Sequence, residues 1–204
     1  MLSRPPIATC LVPIAKSPKN SPNNICSGHW NPLSAIDRCN VSPSDAALDW
    51  LTEEGSLTEK LSEICNGNYK VEVLSQQMSS PQLSEAKSLN IPEGEIALVR
   101  EVLLYANEQP GFFGRTVIPE SALQGRLAHL RSWGNQSIGT YLFSHPDLRR
   151  STVVVSHRNL HDSGFDAFPW NGESLWGRRT RYELYNAPIL ISEFFIPDFL
   201  ASHA

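Results

Sequence analysis

Long apolar runs are missing from this sequence, and so is any excess of positive charge. No stretch approaches the ~20 apolar residues that a bilayer-crossing helix requires. The weakly apolar segment 7–15 is broken by Pro13 and has only Arg4 ahead of it, so it does not read as a signal peptide. Seventeen Lys and Arg stand against 21 Asp and Glu, a net charge of −4. A general nucleic-acid binder would instead carry a basic stripe. The four cysteines (Cys10, Cys26, Cys39 and Cys65) include no C-x-x-C pair, which argues against a zinc or redox motif. Free thiols in a reducing compartment are expected, and the cytoplasm is the default location. The glycines form no phosphate-cradling fingerprint.

What is present is ordinary globular material: 204 residues, 41% hydrophobic and 19% charged, enough for one sizeable core. Residues 1–42 are rich in Pro, Ser and Asn and show no period, so they are expected to be a mostly disordered extension from which Trp30 and Leu33 dock on the domain. The folded domain is expected over residues 43–204. Ser42-Pro43 predicts a helix start carrying Ala47, Leu48 and Leu51. Ser56-Leu57-Thr58-Glu59 is a capping box that predicts a second helix to about Cys65. The period then changes to two. Tyr69, Val71 and Val73 alternate as in a half-buried strand, and 97–106 with 112–118 reads as a hairpin. A helix from Pro119 to about Ser132, a short one after Ser137, a strand over 153–156 and a final hairpin over 174–185 and 189–196 complete the reading. Sequential hairpins without βαβ alternation favour an α+β domain, a single antiparallel sheet with helices packed on it.

Two charges stand in the wrong place. By period two, Arg100 shares a strand face with Leu98, Val102 and Leu104, and Glu193 shares one with Ile189, Ile191 and Phe195. A buried lone charge costs several kcal/mol, so each needs a partner. On pattern alone, two readings are equal alternatives: the two charges pair with each other or with neighbours, or a ligand is held between them. An arginine suits a ligand carboxylate because its planar fork binds both oxygens. Gly114-Arg115 lies mid-strand, where a glycine marks close approach of a ligand or another backbone. In Leu175-Trp176-Gly177-Arg178-Arg179 the two arginines must point to opposite faces; at most one lines a pocket, and the other reads as a solvated charge. His157 and His161, with Asp162 and Asp166, read as solvent-facing loop residues, and no metal site is expected.

Six segments in order resemble the chorismate lyase family: Asp49-Trp50-Leu51 with Gly55-Ser56-Leu57-Thr58, then 98–104, 114–119, 138–143, 175–181 and 192–197. The likeness spans about residues 45–200. It implies an antiparallel sheet with flanking helices that cover an internal site. It also implies a carbon–oxygen lyase that releases pyruvate from chorismate to give 4-hydroxybenzoate for ubiquinone biosynthesis, without a cofactor and as a monomer. Carried over, Arg100 takes the ring carboxylate and Glu193 the ring hydroxyl, with backbone contacts from Leu57, Gly114 and Ile138. Arg115, and after it Arg179, would offset charge on the departing enolpyruvyl group. The chain departs from the family in its longer N-terminal extension, in Leu57 where methionine is common, and in an expanded loop over 156–173. The rival is a non-catalytic small-ligand-sensing domain of the same fold, as in bacterial transcription regulators. Those normally follow a helix-turn-helix domain, for which the Pro- and Asn-rich 42 residues are too short.

Overall fold

A computed structural model describes residues 28–39, 41–159 and 174–203. Its frame is a hairpin of β3 (Ala97–Ala106) and β4 (Gln109–Pro119). The turn residues Asn107 and Glu108 have φ of 53° and 73°, as the tight turns that suit strand twist require. β2 (Tyr69–Ser79) pairs with β3 on one side, and β8 (Ala187–Phe195) pairs with β4 on the other. β7 (Leu175–Leu184) returns against β8 through Tyr185-Asn186, again both at positive φ. β6 (Val154–Arg158) and then β1 (Asn31–Pro32) extend that edge, and β5 (Arg149–Arg150) pairs with β7. Every pairing is antiparallel, in the order β1-β6-β7-β8-β4-β3-β2.

Each face of this sheet is covered differently. On the front, α1 (Asp45–Thr52), α2 (Leu57–Ile64) and α5 (Pro197–Ser202) pack Trp50, Leu61 and Phe199 onto Phe112 and Phe195. Trp50 touches Phe112, Phe195 and Phe199 with ring centroids 5.3–5.9 Å apart. Removing such a fully buried ring typically costs about 3–5 kcal/mol. Farther along the same face, α4 (Ile138–Phe143) and a 3₁₀ segment (Gly125–Ser132) bring Leu127, Leu130 and Leu142 onto Leu98, Ile118 and Ile191. On the back lies α3 (Leu83–Leu89), whose Leu89 packs with Val99, Val117 and Leu190.

Several expectations change. The helix expected from Pro119 to Ser132 is two 3₁₀ segments, Glu120–Ala122 and Gly125–Ser132, because Gly125 at φ 55° interrupts the helical path. α1 is capped by Ser44, two residues later than Ser42-Pro43 implies. Too short to show a period, α3 and α5 were not foreseen. Structure also begins before Pro43: β1 pairs with β6, and Trp30, Leu33 and Ile36 pack on the core. Residues 1–27 and the loop positions His161, Asp162 and Asp166 lie outside the described residues; His157 is on β6 with its ring 5.1 Å from that of Trp176. Cys65 is a free buried thiol, whereas Cys39 is disulfide-bonded, unlike the all-thiol expectation. Among the described residues no helix is long and apolar enough to cross a membrane.

Candidate functional site

Strand register builds the site. Four residues form one rung across the front of the sheet: Val102 on β3, Gly114 on β4, Glu193 on β8 and Arg178 on β7. The next rung is Arg100, Thr116, Ile191 and Thr180. Above these rungs, between the α2 and α4 lids, lies a cavity. Leu57 and Thr58 of α2, Ile138 and Gly139 of α4, and Arg100, Gly114, Phe143, Tyr182, Ile191 and Glu193 are among its walls. Gly114 forms the floor between the two charged strands. A Cβ there would meet Val102 Cγ2 at 3.1 Å, so the glycine leaves space that a side chain would crowd.

The lids are held to each other where their N-termini meet. Ser56 and Ser137 cap α2 and α4 by accepting hydrogen bonds from Glu59 N and Thr140 N. Thr58 Oγ1 and Ser137 Oγ are 2.8 Å apart. Leu57 and Ile138 are thus first-turn residues, whose amide N–H groups have no acceptor within their own helix.

Arg100 is buried, 2% exposed, yet has no ion pair among the described residues. Its Nη1 donates to Gln76 Oε1 (2.7 Å) and its Nη2 to the Gln136 carbonyl (2.9 Å). Burial pushes the guanidinium down to about 10, still charged at neutral pH. Two neutral acceptors orient this cation without neutralising it.

Among the described residues Glu193 is the only carboxylate in the cavity wall, and it is compensated. Arg178 Nε donates to its Oε2 at 2.8 Å. Oε1 makes no hydrogen bond among the described residues, and the side chain keeps 13% of its exposure. Beside it Tyr182 is buried, and burial together with the Glu193 charge pushes its phenol up to about 12. Among the described residues the lining holds no His or Cys, so their donor set is not that of a zinc site.

Of the residues singled out from sequence, Leu57, Arg100, Gly114, Ile138 and Glu193 line this one cavity. Arg115 does not. One position from Gly114, it points to the back of the sheet, where it binds Glu85 (2.7 and 3.0 Å) and Glu101 (2.6 Å). Burial works to lower its pKa, and the two carboxylates more than reverse this. Arg179 is on the back as well, bonded to Ser192 Oγ (2.8 Å) and stacked 4.1 Å over Trp30. Neither can touch a ligand in the cavity. Nor is Arg178 a solvated charge: both Arg178 and Arg179 are fully buried. Sequence reasoning also passed over Tyr182, Thr58 and Gln136. Tyr182 could have been found by counting two residues on twice from Arg178 along the same strand face; the other two carry no local signal.

The family described as Chorismate lyase matches residues 29–203. The chain belongs to the chorismate lyase family. Similar proteins include the probable chorismate pyruvate-lyase of Pseudomonas aeruginosa, 35% identical over 166 residues that cover 81% of this chain and 90% of that protein. The probable chorismate pyruvate-lyase of Psychromonas ingrahamii is 38% identical with the same coverages. The chorismate pyruvate-lyase of Pectobacterium carotovorum is 35% identical over 74% of this chain and 76% of its own. In fold, the chain is similar to the effector domain of PhnF from Mycobacterium smegmatis (TM-score 0.50, 13% identity, 71% of this chain and 90% of that one).

Proposed function

We propose that this protein is a chorismate pyruvate-lyase, a carbon–oxygen lyase that converts chorismate to 4-hydroxybenzoate and pyruvate. The observation that carries the reading is the unneutralised Arg100 across a glycine floor from the free oxygen of Glu193. The two residues are on the same sheet face, two strands and two residues apart. Standard strand spacing and rise put their Cα atoms roughly 12 Å from each other. After two side chains reach inward, the remaining gap suits one six-membered ring with a carboxylate at one end and a hydroxyl at the other. Arg100 binds the ring carboxylate, and Glu193 accepts from the 4-hydroxyl. First-turn amides at Leu57 and Ile138 add donors at the rim.

The chemistry asks little of the protein beyond this. The ether bond to the enolpyruvyl group breaks and its electron pair leaves with the enolate. The hydroxyl-bearing ring carbon loses its hydrogen as a proton, the ring becomes aromatic with its hydroxyl kept, and the enolate takes up one proton to become pyruvate. No net oxidation or reduction occurs, so the reaction calls for positioning and electrostatic stabilisation rather than a redox partner. The apolar walls from Phe143 and Ile191 shield the ring from water. With Arg115 and Arg179 on the back of the sheet, Arg100 is the one cation that lines the cavity among the described residues. The reading includes a monomer acting in the cytoplasm, with no cofactor and no nucleic-acid partner.

Incubation of purified protein with chorismate, with 4-hydroxybenzoate and pyruvate quantified separately, is the direct test. Equal amounts of both, well above the spontaneous rate, are expected. No turnover above that rate would overturn the assignment.

A further inference from the structure

Arg178 is completely buried, lies beside Glu193 on the neighbouring strand, and is not among the residues lining the cavity. Its guanidinium joins three acceptors on two different elements. Nε donates to Glu193 Oε2 (2.8 Å), and Nη1 donates to the carbonyls of Glu53 (2.6 Å) and Trp50 (3.4 Å). Those carbonyls belong to the C-terminal end of α1, where backbone acceptors lack helical partners and the dipole is negative. Arg150 braces the same turn, donating to Glu54 O (2.6 Å) and Glu53 O (3.0 Å). Only Gly55 and Ser56 separate this turn from Leu57, the start of the α2 wall. The planar fork of one arginine therefore ties a cavity carboxylate to the segment that carries a cavity lid.

We propose that Arg178 is a positioning residue for hydroxyl recognition, fixing Glu193 through Oε2 so that Oε1 is turned to the ligand's ring hydroxyl. This rests on the lyase reading and deepens it: selectivity for a hydroxylated over an unhydroxylated ring acid lies in the Arg178–Glu193 pair, not in Glu193 alone. A ligand without the hydroxyl uses Arg100 and the apolar walls and does not sense Arg178.

The probes are 4-hydroxybenzoate and benzoate, titrated calorimetrically into the full-length wild type and into R178Q, R178K, E193Q and R178Q/E193Q. Wild type should prefer 4-hydroxybenzoate by about 10- to 100-fold, the range of one hydrogen bond to a charged group. R178Q should lose most of that preference while its benzoate affinity moves less than about twofold, and the double variant should be no less selective than E193Q. R178K keeps the cation but not the fork and should recover part of the preference; it is also the variant that decides the matter if R178Q does not fold. A preference left intact in R178Q and R178K, or an equal loss for both ligands, overturns this proposal alone. Wild type that binds neither ligand overturns it together with the lyase reading.

Discussion

Arg100 and Glu193 face the same cavity from strands on either side of β4 and make no ion pair with each other. Glu193 has a full counter-charge in Arg178, whereas among the described residues Arg100 has only neutral acceptors in Gln76 and Gln136. The cavity therefore holds one satisfied and one unsatisfied charge, and a ligand carboxylate completes the second.

Replacing Arg100 with Met should separate stability from binding. The substitution removes a buried cation without a counter-ion, a stabilising change, and leaves Gln76 and the Gln136 carbonyl without a donor, a destabilising one. Thermal unfolding should stay within about 1 kcal/mol of wild type, since each lost hydrogen bond is worth about that much. Affinity for 4-hydroxybenzoate should fall by about 2–5 kcal/mol, the loss usual when one partner of a buried charge pair is removed. Calorimetric titration beside a melting curve checks both; a large stability loss with affinity kept would contradict the assigned role.

The pH dependence of benzoate binding should report Arg100. Burial holds the free guanidinium at about 10, and a bound carboxylate favours its charged form, so binding raises that value. Below 10 the cation is present and affinity should be flat. Above it, affinity should weaken by about tenfold per pH unit as the free site loses its proton. The sign for stability is opposite. Because the folded value is depressed, the unfolded chain binds more protons above 10, and the penalty of burying Arg100 fades there as pH rises. Benzoate is the better probe here because it has no phenol to titrate. The decline should be absent in Arg100→Gln.

Glu85→Gln should damage stability and spare the site. Glu85 is wholly buried on the back of the sheet and binds Arg115 through both oxygens, with Arg179 3.8 Å away. Without its charge, Glu101 is the carboxylate left paired with Arg115 among the described residues. Removing one partner of such a network costs about 3–5 kcal/mol. For a protein of this size that lowers the melting temperature by roughly 6–20 °C. Benzoate affinity at a temperature where the variant is folded should remain within about twofold of wild type.

Gly177→Ala tests how closely β7 and β8 approach. A Cβ at Gly177 would overlap the Phe194 ring and come to 2.9 Å from the Glu193 carbonyl oxygen. The backbone oxygen cannot swing away as a flexible side chain could. Overpacking of this kind costs about 1–3 kcal/mol. Because the crowded stretch of β8 is Glu193 and Phe194, 4-hydroxybenzoate affinity should fall more than benzoate affinity. Titrations with both acids and a melting curve decide it; an unaffected variant would mean the strands have room.

Much of this was legible in the chain. Alternation over 97–106 located β3 with the bounds observed, and the turn residues between hairpin strands located their partners. The capping serine at Ser56 fixed the start of α2. The stretch 119–132 was misread because a 3₁₀ path and an α-helical path leave the same spacing of apolar residues, and Gly125 decides between them only through its backbone angle.

Local pattern by itself determined that Arg100 and Glu193 sit among buried residues, and that Arg178 and Arg179 point opposite ways. It did so because side chains alternate strictly along any strand. Tertiary structure alone decided which face holds the cavity. That choice sent Arg115 and Arg179 to the back, beside Glu85 and Glu101, and gave Glu193 to Arg178 while leaving Arg100 without a counter-ion. The physical reason is that alternation fixes faces only relative to neighbours in one strand. Register between strands, and the helices that cover each side, set which charges meet.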